Sequence, residues 1–499
     1  MAVYLSKRPL LMLLLIMLFG IVFRVCILYP SYANGLPSGF DTYIHAASAY
    51  FIRWGGLPAS PTSPIYPPTF LIFLALLYQI TGVFPVYLIA PVGIAVDVLC
   101  APAIFYITRR LSGGRNTVGL LAALFQTLNP ITLDLLILGT IPTILGILEL
   151  LTIIAILVSD LRSRVLGIVS MGLLGGLIFL TNILVGAFYV FFVGMIVFYE
   201  IILGRGNHYA KPLFLSLLIT AIPTALFYLP NLSYFYVGVL GGSEYFIWNL
   251  ATFIVLPILM LPIIFLYKRS YAKKYTYARN QNATLLRLWY LTAPVMALVF
   301  VWQAAVLSRM WHFISFPAVV VLAMIVTAKF RQIGKSRGRR TAAALTATLL
   351  IASVVTTFSA SVIMFNTFYE NTPERMQLVN WIETNTTQSA RFCTEEEYIP
   401  TQLGWYVMGL TGRIAYESLP SFSEPFEVGT DIALHMRLAN NITALTANTT
   451  DWISAVRSLQ VSYVILLANK IHTNYAAISS RIVFATSLHA VYNVTEFLS

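Results

Sequence analysis

Residues 10–29, LLMLLLIMLFGIVFRVCILY, form an apolar run long enough to cross a bilayer, and runs of the same kind return up to about residue 363. A chain that is 58% hydrophobic, with a mean hydropathy of +0.80, exceeds what a soluble domain of this size shows. It reads as a polytopic membrane protein. No small-residue cleavage site follows the first run, so that run is expected to remain as a span and not as a removable leader. In a soluble protein the formal charge of +12 would suggest nucleic acid. Here the excess lies in loops between apolar runs, where it sets topology, and no nucleic-acid partner is expected. Cys26, Cys100 and Cys393 show neither metal-ligand spacing nor a disulfide framework.

Lys7 and Arg8 precede the first run and put the N-terminus in the cytoplasm. The loop at 30–84 is then external. It contains a second apolar run, TFLIFLALLYQITG, counted from Pro67 to Gly82. At ~1.5 Å per residue this run reaches roughly 24 Å, short of a ~30 Å hydrocarbon core. If it spanned, the Lys and Arg of the loops between Arg109 and Arg340 would face outward, so it is expected to lie along the interface. Spans are expected near 85–107, 117–137, 142–158, 165–181, 184–203, 213–230, 247–267, 286–306, 313–329 and 341–363, about eleven with the first. Basic loops such as KRSYAKKYTYAR at 268–279 and KFRQIGKSRGRR at 329–340 anchor that topology against anionic lipid.

Residues 366–499 differ in composition. Acidic residues become common, and four Asn-x-Thr sequons appear, at Asn385, Asn441, Asn448 and Asn493. The periodicity of PERMQLVNWIETN predicts a helix, and VSYVILLA a buried strand. The expected architecture is an all-α membrane domain at 1–365 and a small extracytoplasmic α/β or α+β domain at 366–499. The protein would be integral to the cell membrane, with the lipid bilayer as its constant partner.

Polar groups at the outer mouth of such a domain are costly and therefore informative. GFDTYIHAASAYFIRWGG, residues 39–56, holds Asp41, His45 and Arg53 in a chain that is only 10% charged. A helix over 42–53 would place Asp41 at its N-cap and His45 one turn on, and the GG and PASPTSPIYPP beyond would end it. On these residues alone, Asp41 is equally a cap or a site acid, and His45 is equally an interfacial histidine bonded to a carbonyl. Asp134, in NPITLDLLILGT, sits where a span ends. Glu149 lies within a span and needs a partner or a proton. Arg309 and His312, in LSRMWHFISFP, fall on the outer side, and Arg309 defies the inward bias of the other cations. A guanidinium can hold a phosphate by two parallel hydrogen bonds, or snorkel to headgroups.

GFDTYIH resembles the first outer-loop motif of oligosaccharyltransferase catalytic subunits, in which an Asp, an aromatic and a His recur in this order. The pattern is similar to that of the wider C-type, or GT-C, glycosyltransferases, which include protein O-mannosyltransferases. The apolar run after YPP, the Arg109–Arg110 exit, and WIETNT at 381–386 with GWYVMGLTGR at 404–413 add to the likeness, which extends to archaeal members. The resemblance implies a polyprenyl-phosphate-linked sugar, such as a dolichyl phosphate sugar, as donor, and a protein, lipid or glycan as acceptor. By it Asp41 corresponds to a metal ligand or general base, with magnesium or manganese as the metal, and Arg309 to an arginine that meets the lipid phosphate. His45, Arg53, Asp134 and His312 join it as substrate-binding candidates. The chain departs from the family pattern in two places. No WWDYG occurs in 366–499, and GTIPTILG at 139–146 stands where a second acidic motif is expected. Both departures count against asparagine-linked transfer, and the second against a metal. The rival functions are a transporter or flippase of a lipid-linked substrate and an inactive scaffold of the same fold.

Overall fold

The computed structural model describes residues 8–33, 40–55, 67–202, 209–229, 280–299, 309–332, 372–395, 403–417, 432–468 and 473–498. Its membrane part starts with α1 (Pro9–Ala33), α2 (Phe40–Gly55), α3 (Thr69–Thr81) and α4 (Pro85–Leu111). Then come α5 (Asn116–Thr127), α6 (Pro130–Ile137), α7 (Ile141–Leu157), α8 (Val165–Thr181), α9 (Ile183–Ile202) and α10 (Ala210–Tyr228). α11 (Asn280–Val299) and α12 (Met310–Gln332) complete it. Among the described residues six helical stretches are long and apolar enough to cross a membrane, and four further apolar helices are shorter. The expected spans at 247–267 and 341–363 lie outside the described residues, as does the boundary at 365/366.

Lipid-facing stripes explain the composition. On α1 the exposed residues include Leu10, Leu11, Leu14, Leu15, Leu18, Phe19, Ile21, Val22 and Val25, while Leu13, Ile27 and Leu28 turn inward. On α10, Phe214, Leu218, Ile222 and Leu226 recur at one-turn spacing on the outside. Exposed apolar surface of this extent marks a bilayer-facing exterior.

The run at 117–137 is not one straight helix. Asn129 and Pro130 break it into α5 and α6: Pro130 has no amide hydrogen to give, and the Asn129 side chain accepts from the Ile131 amide as an N-cap. α6 then leads into a turn at Gly139, whose φ is 78°.

The C-terminal part contains α13 (Pro373–Asn385), β1 (Arg391–Thr394), α14 (Leu403–Thr411), β2 (Ile414–Glu417), α15 (Ile432–Ala444), α16 (Thr450–Leu459), β3 (Tyr463–Leu467), β4 (Ile482–Ala485) and β5 (His489–Asn493). The helix and strand expected at 373–385 and within 461–468 are both present. The strands form one mixed sheet, ordered β2-β1-β3-β5-β4, in which β1 runs parallel to β2 and β3, while β5 is antiparallel to β3 and β4. Alternation along β3 sends Val464 and Leu466 into a core with Ile442, Trp452 and Val456. Ile465 points the other way, with Phe392 and Val491, into the core that also contains the membrane helices. The domain is therefore joined to the membrane part through a continuous apolar core.

Helix α14 lies on α2. The Tyr43 and Tyr406 rings stack with centroids 4.1 Å apart. A Cβ added at Gly409 would stand 2.5 Å from the Tyr43 carbonyl oxygen, so only glycine permits this approach. About two turns on, Tyr50 meets Gly412, and its hydroxyl accepts from Gln388 Nε2 at 3.3 Å. α2 is thus held beneath the C-terminal domain at Tyr43 and again at Tyr50. α3 runs beside it, with Phe70 edge-on to His45 and Tyr78 beside Tyr50. α3 therefore packs along α2 from Phe70 to Tyr78.

Candidate functional site

Helix α6 links the first turn of α2, at Leu138, to the first turn of α12, at Asp134. The Asp41 amide donates to the Leu138 carbonyl at 3.3 Å, which ties the start of α2 to the end of α6. The helix begins at Phe40, so Asp41 sits inside the first turn and not at the expected N-cap. Its carboxylate still lies at the positive end of the helix dipole. A Cβ at Gly139 would come within 2.3 Å of Thr42 Oγ1 and 2.7 Å of the Thr42 amide nitrogen. Close approach and positive φ both demand glycine there. Gly139→Ala is expected to cost roughly 1–3 kcal/mol, read as a lowered thermal midpoint. A midpoint equal to that of the unsubstituted protein would mean that the turn is not the tie described.

Asp134, on α6, meets His312, on α12. Imidazole Nε2 is 3.0 and 2.9 Å from the two carboxylate oxygens, and both side chains are buried. Nδ1 of the same ring faces the Arg309 carbonyl at 3.3 Å. Both nitrogens thus face oxygens. The Asp134–His312 pair holds the entry to α12, and with it Arg309.

Asp41 and Arg309 are partly exposed, whereas Asp134 and His312 beneath them are buried. Burial raises the Asp41 carboxyl to about 6, and the nearby Arg309 guanidinium acts in the opposite direction. His45, one turn further along α2, is buried, and burial lowers its pKa to about 3. It is a neutral ring at ordinary pH. Arg53 stands at the other end of α2, roughly 18 Å along the axis from Asp41. The structure thus brings Asp41, Asp134, Arg309 and His312 together, with His45 adjacent, and does not bring the Arg53 position to them. Glu149, also singled out by sequence, accepts from Thr181 Oγ1 at 3.1 Å.

Sequence reasoning missed two charged residues close to this cluster. Arg24 on α1 and Asp97 on α4 form an ion pair and are 0% and 1% exposed. Opposite charges in two separate apolar runs were the available signal, because a charge inside a span demands a partner.

No family profile matches the chain, and no curated protein matches its sequence. Solved structures do match. The oligosaccharyltransferase AglB from Archaeoglobus fulgidus, in complex with an inhibitory peptide and a dolichol-phosphate, superposes with a TM-score of 0.59 at 12% identity, over 93% of this chain and 70% of AglB. The Archaeoglobus enzyme tethered to an acceptor peptide containing an NVT sequon gives 0.61 at 12% identity, with the same coverage. ArnT from Cupriavidus metallidurans, bound to undecaprenyl phosphate, gives 0.58 at 13% identity, over 97% of this chain and 98% of ArnT. The fold is that of the C-type glycosyltransferases. In this C-type fold the described residues hold no cluster of three or more His, Cys, Asp or Glu suited to a metal ion. Asp134 has His312 on both of its oxygens.

Proposed function

We propose that the protein transfers a sugar from a polyprenyl-phosphate-linked donor to an acceptor on the outer face of the membrane. The observation that carries this reading is that Asp41 and Arg309, both partly exposed residues, lie within electrostatic reach of each other at the same mouth. Asp41 takes the proton of the acceptor nucleophile as that atom bonds to C1 of the sugar. The bond from C1 to the phosphate oxygen breaks, and Arg309 receives the negative charge that develops on the departing lipid phosphate. A base that titrates near 6 is ionised at neutral pH while keeping appreciable proton affinity, as general-base work requires.

The other residues serve these two. Asp134 and His312 hold Arg309, and neutral His45 supports α2 against α3. The donor set does not fit a divalent cation. Among the described residues Asp41 has a guanidinium and not a second carboxylate as its charged neighbour, and Asp134 is engaged. No step is therefore routed through magnesium or manganese. The C-terminal domain, clamped on α2 through Tyr43 and Tyr406, covers the acceptor side.

Incubation of the purified protein with a total polyprenyl-phosphosugar extract and membrane acceptors tests the reading. Release of sugar from the lipid, with a matching amount appearing on acceptor, is expected. Movement of intact lipid-linked sugar between leaflets, with no bond broken, would instead establish the transporter. The absence of either activity would leave a scaffold.

A further inference from the structure

The Arg24–Asp97 pair is buried in the membrane part and contacts neither Asp41 nor Arg309. We infer that it is a positioning brace for the α5–α6 break, and through that break for Asp134, Leu138 and the Asp41–Arg309 mouth; this rests on the glycosyltransferase reading above.

Hydrogen bonds trace the brace. Thr127 ends α5, and in an unbroken helix its carbonyl would accept from the amide of residue 131. The Asn129 side chain has taken that amide at 3.1 Å. The Thr127 carbonyl instead accepts from Arg24 Nη1 at 3.2 Å, and the same nitrogen reaches the Gly20 carbonyl at 3.2 Å. Arg24 Nε is left to bind Asp97. From the far side, Asn129 Nδ2 donates to Ser315 Oγ at 3.1 Å, and Ser315 Oγ donates to the His312 carbonyl at 2.8 Å. Asp97 lies near enough to Thr132 and Asp134 to feel both. The first turn of α6 is therefore fixed between α1 and α4 on one side and α12 on the other, and α6 carries Asp134 and ends at Leu138.

Stability does not account for the pair. Well-packed apolar side chains commonly equal or exceed a buried ion pair in stabilising a fold. This pair also leaves Arg24 Nη2 and Asp97 Oδ1 without hydrogen-bond partners among the described residues. What apolar residues could not do is hold the Thr127 carbonyl. Lysine is a weaker substitute: it would keep the charge on Asp97 but lacks the rigid fork that serves the carboxylate and the carbonyl together.

The test compares full-length Arg24→Met/Asp97→Leu and Arg24→Lys with the unsubstituted protein, measuring thermal midpoint, kcat and KM for the polyprenyl-phosphosugar. The double variant is expected to melt no lower than the parent and yet to lose roughly 10–100-fold in kcat, with KM changed by less than about threefold. Arg24→Lys should stay folded and lose about 10-fold in kcat. A purely structural role would move the thermal midpoint and spare kcat. Folded variants whose kcat lies within about twofold of the parent overturn the inference. Should the double variant fail to fold, Arg24→Lys alone decides by the same criterion. An unsubstituted protein without turnover removes the glycosyltransferase reading, and this inference with it.

Discussion

Asp41→Asn is expected to lower sugar transfer by roughly 10²–10⁴-fold, because the amide cannot accept the acceptor's proton. The same change should raise stability at neutral pH. In the folded protein burial raises the carboxyl to about 6, against 3.8 for a free aspartate side chain. Between those two values the unfolded chain has released its proton and the folded chain retains it, so stability falls as pH rises and then stays level above about 6. Each tenfold difference in proton affinity is worth ~1.4 kcal/mol, so an ionised Asp41 costs the fold about 3 kcal/mol at pH 7. Asp41→Asn relieves this cost. Asp41→Ala should be equally inactive. A structural acid at the start of α2 predicts the reverse pattern, with Asn near normal in activity and neither variant more stable. Transfer rates measured beside thermal midpoints at pH 7.5 separate the two cases.

Arg309→Gln is the second large effect, with an expected loss of roughly 10²–10³-fold in kcat from the charge removed at the leaving phosphate. Arg309→Lys keeps a positive charge but not the planar fork, and should fall between the parent and Arg309→Gln. Donor competition measures the contribution to binding: polyprenyl phosphate should inhibit the parent better than it inhibits Arg309→Gln. Equal inhibition of the two, with equal kcat, would make Arg309 a headgroup anchor.

Much of this site could be read from the chain because charge is rare in it. Asp41 and Arg309 stood out as polar groups on a face where the lysines and arginines of the loops did not belong. α2 was legible as a helix over 42–53 ended by the GG that follows, and β3 from the apolar run VSYVILLA. Asp134 and His312 were legible as residues near the mouth, but not as partners of each other, because 178 positions separate them. Their long-range pairing depends on how α6 and α12 cross. The α5–α6 break was written in the Asn129–Pro130 dipeptide, a known helix interrupter, yet hydropathy runs through it unchanged. Arg24 and Asp97 were hidden for the same reason: averaged over a span, one charge among some twenty apolar residues leaves the window apolar. Arg53 shows the opposite relation. Proximity in sequence suggested a shared site, whereas the helix carries its position roughly 18 Å away.

The coupling of Asp41 to Arg309 is the central claim, and the pH dependence of kcat/KM for sugar transfer tests it most directly. Asp41 must be ionised to act as base, so the rate should rise with pH around a midpoint of about 6 and level off above it. Arg309 lowers that midpoint, so in Arg309→Gln the residual activity should rise around a higher one. A profile flat from pH 5 to 8, or one whose midpoint is the same in both proteins, would contradict the account.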